Sequence, residues 1–232
     1  MLVSDNLIEL FHVWHQYQRP NWALSDISLR IKKGDFVFLT GPSGSGKTTL
    51  LKIIFREIIP TEGQIVIEGV NILRIPDHGI YRLRRMIGIV FQDFRLLFHR
   101  PVYENVALPL QVLGVPYKEI RRRVFNALRM VNLQHKLGDP PSHLSYGEQQ
   151  RVAIARAIVN APKILLADEP TGNLDTELAF EIINLFKEIN KQGTTVIIGT
   201  HDKELIRHFG SKILFLQAGK LLGKDALPSS EN

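Results

Sequence analysis

The sequence predicts an α/β protein with a mainly parallel core sheet, an antiparallel β portion near the N-terminus and a helical insertion. Three observations support this prediction. Short apolar runs at residues 36–39, 164–167 and 196–198 are typical of strands buried on both faces. Residues 27–31 alternate apolar and polar side chains, as a half-buried strand does. From residue 93 to about residue 162, helical patterns dominate.

The other elements follow from the same periodicities and from turn residues between them. Strands are predicted at 7–13, as an edge strand, and at 27–31, 36–39, 64–67, 87–91, 163–169 and 195–200, with a closing hairpin at 213–216 and 220–222. Helices are predicted after residue 48, as a short basic helix at 77–85, and at 102–113, 117–131 and 176–190. The segment 144–151 is predicted to lead into a further helix that runs through residue 159.

A glycine-rich loop between the strand at 36–39 and the following helix fits the pattern G-x-x-x-x-G-K-[ST]. Glycines let successive N–H groups point into one concavity, and the helix that starts there favours a bound anion. Lys47 can reach the β- and γ-phosphates, and the Thr48 hydroxyl can bind Mg²⁺. The sequence therefore predicts binding of a nucleoside triphosphate by Gly41, Pro42, Ser43, Gly44, Ser45, Gly46, Lys47, Thr48 and Thr49.

Composition limits the other classes of function. The 232 residues include no cysteine, which excludes disulfide and thiolate chemistry, and no apolar run approaches the ~18 residues that span a bilayer. The N-terminus lacks a signal-peptide pattern. The net charge is +6, with arginine clusters at 82–85 and 121–123. These clusters fit either solvated helix faces or contact with anionic lipid.

Polar residues follow three of the predicted strands. Asp168 ends a buried strand, where a carboxylate can orient Mg²⁺, and Glu169 beside it can polarise the water that attacks the γ-phosphate. Repulsion between the two acids is expected to raise the pKa of one of them. Gln92 can bind Mg²⁺ or the attacking water through its amide, and His201 can orient the γ-phosphate.

The chain resembles the ATP-binding cassette (ABC) ATPases in residues 144–150, taken together with the phosphate loop, Gln92, residues 166–169 and 173–175, and His201. The resemblance covers roughly residues 7–222. It implies ATP and Mg²⁺ as cofactors and a homodimer in the ATP-bound state. Each ATP would lie between the phosphate loop of one chain and the signature residues Ser145, Gly147 and Glu148 of the other. The resemblance also makes Tyr17 the residue that stacks on adenine.

The signature segment departs from the usual L-S-G-G-Q at two positions. Tyr146 stands where the family has glycine, and Glu148 stands where it has glutamine. A tyrosine adds bulk beside the sandwiched nucleotide and restricts the backbone, so it bears on the affinity of the ATP-bound dimer.

The resemblance also suggests how the chain is divided. We expect an N-terminal part of the nucleotide-binding core at 1–92, a helical signature subdomain at 93–162, a C-terminal part of the core at 163–224 and a frayed tail at 225–232. An apolar cluster at the start of the helical subdomain fits either internal packing or a surface for docking another protein, and it comprises Phe94, Leu96, Leu97, Phe98 and Tyr103.

Residues 96–100, 102–110 and 120–124 are similar to the FtsE family of cell-division ATPases, whereas residues 167–175 are also shared with lipoprotein-releasing and macrolide-type cassettes. The FtsE resemblance implies a peripheral ATPase at the cytoplasmic face of the cell membrane. Its partner would be an FtsX-like integral membrane protein, with control of cell-wall hydrolases during division and no specific nucleic acid. The alternatives are a lipoprotein-release or macrolide-type efflux ATPase, a soluble ABC protein acting on DNA or ribosomes, and a nucleotide-dependent scaffold with slow turnover.

Overall fold

The computed structural model describes residues 5–18, 20–210 and 212–223, so the predicted frayed tail at 225–232 lies outside the described residues. The strands are β1 (Asn6–His15), β2 (Leu24–Lys32), β3 (Phe36–Thr40), β4 (Glu62–Ile67), β5 (Val70–Asn71), β6 (Ile87–Val90), β7 (Ile164–Asp168), β8 (Thr195–Gly199), β9 (Lys212–Gln217) and β10 (Lys220–Leu222). The helices are α1 (Lys47–Ile54), α2 (Ile80–Arg84), α3 (Val102–Val112), α4 (Tyr117–Met130), α5 (Tyr146–Ile158), α6 (Thr176–Lys191) and α7 (Lys203–Phe209).

The core is a six-stranded sheet with the strand order β10-β9-β3-β8-β7-β6. The pairs from β9 to β6 are parallel, and only β10, which pairs with β9, is antiparallel. A second sheet of four strands, β2-β1-β4-β5, is antiparallel throughout. The predicted α/β class, with a mainly parallel core and an antiparallel N-terminal portion, is therefore confirmed.

The strand β1 lies inside the antiparallel sheet, so the prediction of an edge strand at residues 7–13 is wrong. Ile8 is opposite Ile31 of β2 on one side and opposite Ile67 of β4 on the other. The apolar pattern of β1 shows which side chains are buried. It does not show how many strands hydrogen-bond to its backbone, because β4 comes far later in the chain.

Both faces of the parallel sheet are covered, which explains its unbroken apolar runs. Successive side chains of a strand point to opposite faces. Phe36 and Phe38 accordingly pack in the cluster that contains the helices of the insertion and α6. Val37 and Leu39 pack in a second cluster with α1 and the antiparallel sheet. The central strands are thus held from both sides, and their ends have little freedom to shift.

The helices α3, α4 and α5 lie between β6 and β7 in the chain, where the sequence predicts the helical insertion. The proposed boundaries of this subdomain at residues 93 and 162 remain a prediction. The expected basic helix at 77–85 is a 3-10 turn (Asp77–Gly79) followed by the short helix α2. Within the described part of the chain, no helix is sufficiently long and apolar to cross a membrane.

The loop at 91–101 joins the core sheet to α3 and is tied to that helix by a buried amide. The side chain of Asn105 is fully buried. Its Oδ1 accepts a hydrogen bond from the N–H of Leu97 at 2.7 Å. Its Nδ2 donates to the carbonyls of Leu97 at 3.1 Å and Arg100 at 3.0 Å. One side chain therefore satisfies several backbone groups that would otherwise lack partners.

Replacing Asn105 by Ala is expected to lower the free energy of unfolding by about 2 to 3 kcal/mol, because buried backbone groups lose their partners. Chemical denaturation measures this loss. The matched control is Asn126→Ala on the exposed face of α4, expected to change stability by less than about 0.5 kcal/mol. Equal stabilities of the two variants would contradict the structural role of Asn105.

Candidate active site

The register of the parallel sheet aligns the carboxyl ends of four adjacent strands. Gly199 of β8 is opposite both Leu39 of β3 and Asp168 of β7. Val90 of β6 is opposite Ala167 of β7. The residues that follow these strand ends therefore lie along one edge of the sheet, which is where ligands bind in open α/β sheets. Each strand end in this row delivers a residue singled out by the sequence analysis.

The glycines of the phosphate loop are required by its geometry. A Cβ atom on Gly41 would lie 1.9 Å from the carbonyl oxygen of Leu216, so the loop runs directly against β9. Gly46 has a φ of 106°, and a Cβ there would lie 2.6 Å from the carbonyl oxygen of Ala23. Gly46 is also the N-cap of α1. The loop thus places the start of a helix, with its free N–H groups, at the edge of the sheet.

The ammonium group of Lys47 is held by hydrogen bonds to backbone carbonyls of the phosphate loop. Its Nζ donates to the carbonyls of Gly41 at 2.8 Å and Pro42 at 3.2 Å, and the residue is only 7% exposed. Nζ also lies 3.7 Å from Oε1 of Glu169. A buried cation therefore sits between the phosphate loop and the end of β7.

Glu169 has a left-handed backbone with a φ of 46°, which is costly for a residue with a side chain. Its N–H donates to the carbonyl of Gly199 at 2.8 Å, which holds this conformation. Oε1 lies 2.9 Å from Nδ1 of His201. Oε2 is buried and has no hydrogen-bond partner among the described residues. One oxygen is thus fixed by the imidazole, and the other is free to accept a proton or a hydrogen bond.

Asp168 is a partly buried carboxylate at the end of β7. Burial raises its pKa, hydrogen bonding by Thr48 opposes this, and the charge of Glu169 adds to it. The expected repulsion between the two acids is present, but burial is the larger cause. Oδ1 of Asp168 has no hydrogen-bond partner within the described ranges. The oxygens of Asp168, Thr48 and Gln92 form the kind of ligand set that Mg²⁺ prefers, so these residues fit that ion.

These elements surround a cleft of about 520 Å³. At its rim, Tyr17 is 61% exposed, its hydroxyl lies 3.2 Å from Oγ1 of Thr49, and its ring meets that of His15 edge-on at 4.7 Å. Three predicted site residues, Gly41, Pro42 and Asp168, do not line the cleft themselves. The carbonyls of Gly41 and Pro42 accept hydrogen bonds from Lys47, and Asp168 precedes Glu169 in the chain. The residues that line the cleft are Tyr17, Ala23, Ser43, Gly44, Ser45, Gly46, Lys47, Thr48, Thr49, Gln92, Glu169, Gly172 and His201.

Three residues predicted to contact nucleotide are not part of this cleft. Ser145, Gly147 and Glu148 form the start of α5. The Ser145 Oγ accepts a hydrogen bond from the N–H of Glu148 at 3.2 Å, and a Glu148 carboxylate oxygen accepts one from the N–H of Ser145 at 2.9 Å. This capping box leaves the Ser145 hydroxyl proton free to donate. The glutamate that replaces the usual glutamine is thus occupied within its own chain.

Sequence reasoning missed Ala23 and Gly172 as lining residues. Ala23 contributes its backbone beside the phosphate loop, and a backbone contribution leaves no residue-type signal in a sequence. Sequence reasoning also missed a contact of Tyr146, whose hydroxyl accepts a hydrogen bond from the side chain of Asn173 at 2.5 Å. The only available signal was that a tyrosine occupies a position where the resembling family has glycine.

The chain is similar to known proteins over most of its length. The ABC transporter family model matches residues 24–172. The cell division ATP-binding protein FtsE of Streptococcus pneumoniae (serotype 2, strain D39) is 41% identical over 217 residues, which are 94% of this chain and 94% of that protein. FtsE of Escherichia coli (strain K12) is 46% identical over 217 residues, which are 94% of this chain and 98% of that protein.

A solved structure, the dimeric ATP-binding cassette MJ0796 in a post-hydrolysis state bound to ADP and Pi, is 39% identical. The match has a TM-score of 0.86 and covers 95% of this chain and 99% of that chain. All three matches span more than nine tenths of both partners. The similarity is therefore one of the whole cassette and not of a single motif.

Replacing Asp168 by Asn is expected to stabilise the nucleotide-free and magnesium-free protein at pH 8. The pKa of Asp168 is higher in the folded chain than its ordinary 3.8, so the stability linked to its proton is lost as the pH rises through the raised pKa. Asparagine carries no charge and avoids this loss.

Chemical denaturation below pH 3.8 and at pH 8 measures the effect. The gain from Asp168→Asn should be larger at pH 8, whereas the exposed control Asp77→Asn should show no such trend. A variant that is less stable than the wild type at pH 8 would contradict a net cost of burying this carboxylate.

Proposed function

The chain belongs to the ABC transporter family and is an ATP-hydrolysing cassette, and from this premise we propose that it is the ATPase subunit of a cell-division complex in the cell membrane. The proposed complex contains two copies of the chain in the ATP-bound state and an FtsX-like integral membrane protein. Its proposed task is to control cell-wall hydrolysis during division. This proposal rests on identities of 41% and 46% to cell division ATP-binding proteins over nearly the whole chain.

In the proposed mechanism, the phosphate loop binds the β- and γ-phosphates of ATP. The N–H groups at the start of α1 face the anion, and the helix dipole favours it. Lys47 exchanges its contacts with the carbonyls of Gly41 and Pro42 for contacts with phosphate oxygens. The exposed ring of Tyr17 at the rim of the cleft stacks on the adenine.

Hydrolysis needs a water molecule polarised for in-line attack on the γ-phosphate. We assign this task to Oε2 of Glu169, which is buried and has no partner among the described residues. His201 holds Oε1 at 2.9 Å, so the carboxylate has one fixed orientation. We assign the exposed part of the imidazole to contact with the γ-phosphate. Gln92 completes the cleft and orients the water through its amide.

We propose that Thr48, Asp168 and Gln92 hold Mg²⁺ when ATP is bound. The ion would supply a positive charge that neutralises the β- and γ-phosphate oxygens. The raised pKa and the unpartnered Oδ1 of Asp168 support this assignment, because a cation at this position removes the cost of burying a negative charge. Cation binding would therefore remove the electrostatic cost that burial of the Asp168 carboxylate imposes on the nucleotide-free protein.

A second copy of the chain is proposed to complete the site. Ser145, Gly147 and Glu148 do not line the cleft of their own chain, yet they start a helix with a free hydroxyl proton. That arrangement suits an anion brought by another molecule. The γ-phosphate bound to one chain would therefore contact the start of α5 in the other.

The proposed docking surface for the membrane partner is a groove on the helical insertion. Of the apolar cluster predicted at 94–103, Phe94 and Leu96 are buried in the core, whereas Phe98 is 51% exposed. Tyr103 lines the neighbouring groove, together with Tyr117, Phe125, Leu137, Arg121 and Arg122. A cytoplasmic segment with apolar and acidic side chains fits these aromatic and basic walls. This position would place the chain peripherally, at the cytoplasmic face of the cell membrane.

Affinity capture from detergent-solubilised membranes tests the proposed complex. Tagged Glu169→Gln protein with ATP is expected to recover an FtsX-like integral membrane protein, identified by mass spectrometry. Tyr117→Glu, introduced into the same bait, should reduce recovery several-fold because it places a charge in the groove. The control is Tyr81→Glu at another exposed tyrosine, on α2, and this variant should recover the partner normally.

Recovery of a lipoprotein-release or efflux permease in place of an FtsX-like protein would contradict the division role and favour the alternative cassette class. Recovery of ribosomes or DNA without any membrane protein would contradict a membrane complex altogether.

A further inference from the structure

Tyr146 connects two segments that are distant in the chain. It is the first residue of α5, directly after the N-cap Ser145, and it is 39% exposed. Its hydroxyl accepts a hydrogen bond from Nδ2 of Asn173 at 2.5 Å. Its ring packs on that of Phe94, with 4.5 Å between the centroids and 59° between the planes. A glycine at position 146 would make neither contact.

Asn173 belongs to the turn at 170–175, which directly follows the proposed general base. The N–H of Gly172 donates to the carbonyl of Glu169 at 3.3 Å, so the turn and the left-handed Glu169 form one hydrogen-bonded unit. The turn also approaches α5, because a Cβ built on Gly147 would lie 4.0 Å from Leu174. A strained backbone such as that of Glu169 persists only where its surroundings fix it.

Phe94 lies two residues after Gln92, in a strained part of the loop at 91–101. Phe94 and Arg95 have φ values of 55° and 51°. The guanidinium of Arg156, on α5, donates hydrogen bonds to the carbonyls of both residues. Burial lowers the pKa of Arg156, so keeping its guanidinium charged in this position costs free energy. The helix α5 therefore contacts the loop at two points. Arg156 donates hydrogen bonds to its backbone, and the ring of Tyr146 packs on Phe94.

We propose that Tyr146 is a positioning residue for ATP hydrolysis: by binding Asn173 and packing on Phe94, it fixes the turn that carries Glu169 and the loop that carries Gln92 onto the start of α5. The inference rests on the proposed roles of Glu169 and Gln92 in hydrolysis. Tyr146 is not among the residues that line the cleft of its own chain. Its hydroxyl is bound to Asn173, so we expect removal of the hydroxyl alone to change the geometry of hydrolysis and not the affinity for ATP.

The full chain with Tyr146→Phe tests the hydrogen bond alone, because phenylalanine keeps the ring contact with Phe94. We expect kcat for ATP hydrolysis to fall about five-fold, with the KM for ATP unchanged within about two-fold. Asn173→Ala should give the same fall, and the double variant should be no slower than either single variant, since both remove one interaction. Tyr81→Phe, at a similarly exposed tyrosine, should leave both constants unchanged.

Hydrogen–deuterium exchange without nucleotide separates this proposal from the proposed function. Tyr146→Phe should speed exchange of the backbone amides at 171–175, and this readout does not depend on the hydrolytic role of Glu169. Melting temperatures within about 2 °C of the wild type would exclude general unfolding as the cause. Unchanged or increased kcat, additive losses in the double variant, or unchanged exchange in the turn would overturn the proposal.

Discussion

The structure depends on the level alignment of four parallel strand ends, which hydrogen bonding between neighbouring strands enforces. Side chains packed on both faces keep the strands β3, β8, β7 and β6 from sliding past one another. Since each strand ends at the same edge, the residues that follow it are brought together without any long-range sequence signal between them. This alignment brings together the phosphate loop, the two carboxylates, Gln92 and His201.

The charges gathered at this edge are arranged for ligands and not for the stability of the empty chain. A helix start and a buried ammonium group can bind phosphate, and Oδ1 of Asp168 has no hydrogen-bond partner among the described residues. The strained backbone of Glu169 adds a further cost that neighbouring contacts must offset. Tyr146 extends this support to the start of α5, so the segment proposed to meet a second nucleotide is mechanically joined to the segment that carries the proposed base.

Much of this could be predicted from the sequence, because local patterns determine it. The phosphate loop is recognised by the fixed spacing of its glycine, lysine and threonine residues. The buried strands are recognised by an apolar run followed by a polar residue. The central position of β1 could not be predicted, because strand pairing depends on the distant β4. The left-handed backbone of Glu169 could not be predicted from the sequence, because a tertiary hydrogen bond to the carbonyl of Gly199 holds it. Asn105 and Tyr146 act through tertiary hydrogen bonds, which their residue types allow but do not specify.

Two chains are proposed to share each ATP, and sedimentation of Glu169→Gln protein in Mg²⁺–ATP tests this most directly. We expect a mass near 26.4 kDa for the nucleotide-free chain and twice that mass with ATP. Adding Lys47→Ala, which removes the phosphate-binding cation, or Ser145→Arg, which blocks the start of α5, should keep the protein at the mass of one chain. A single-chain mass at saturating ATP, or a dimer that forms regardless of Ser145→Arg, would contradict the claim.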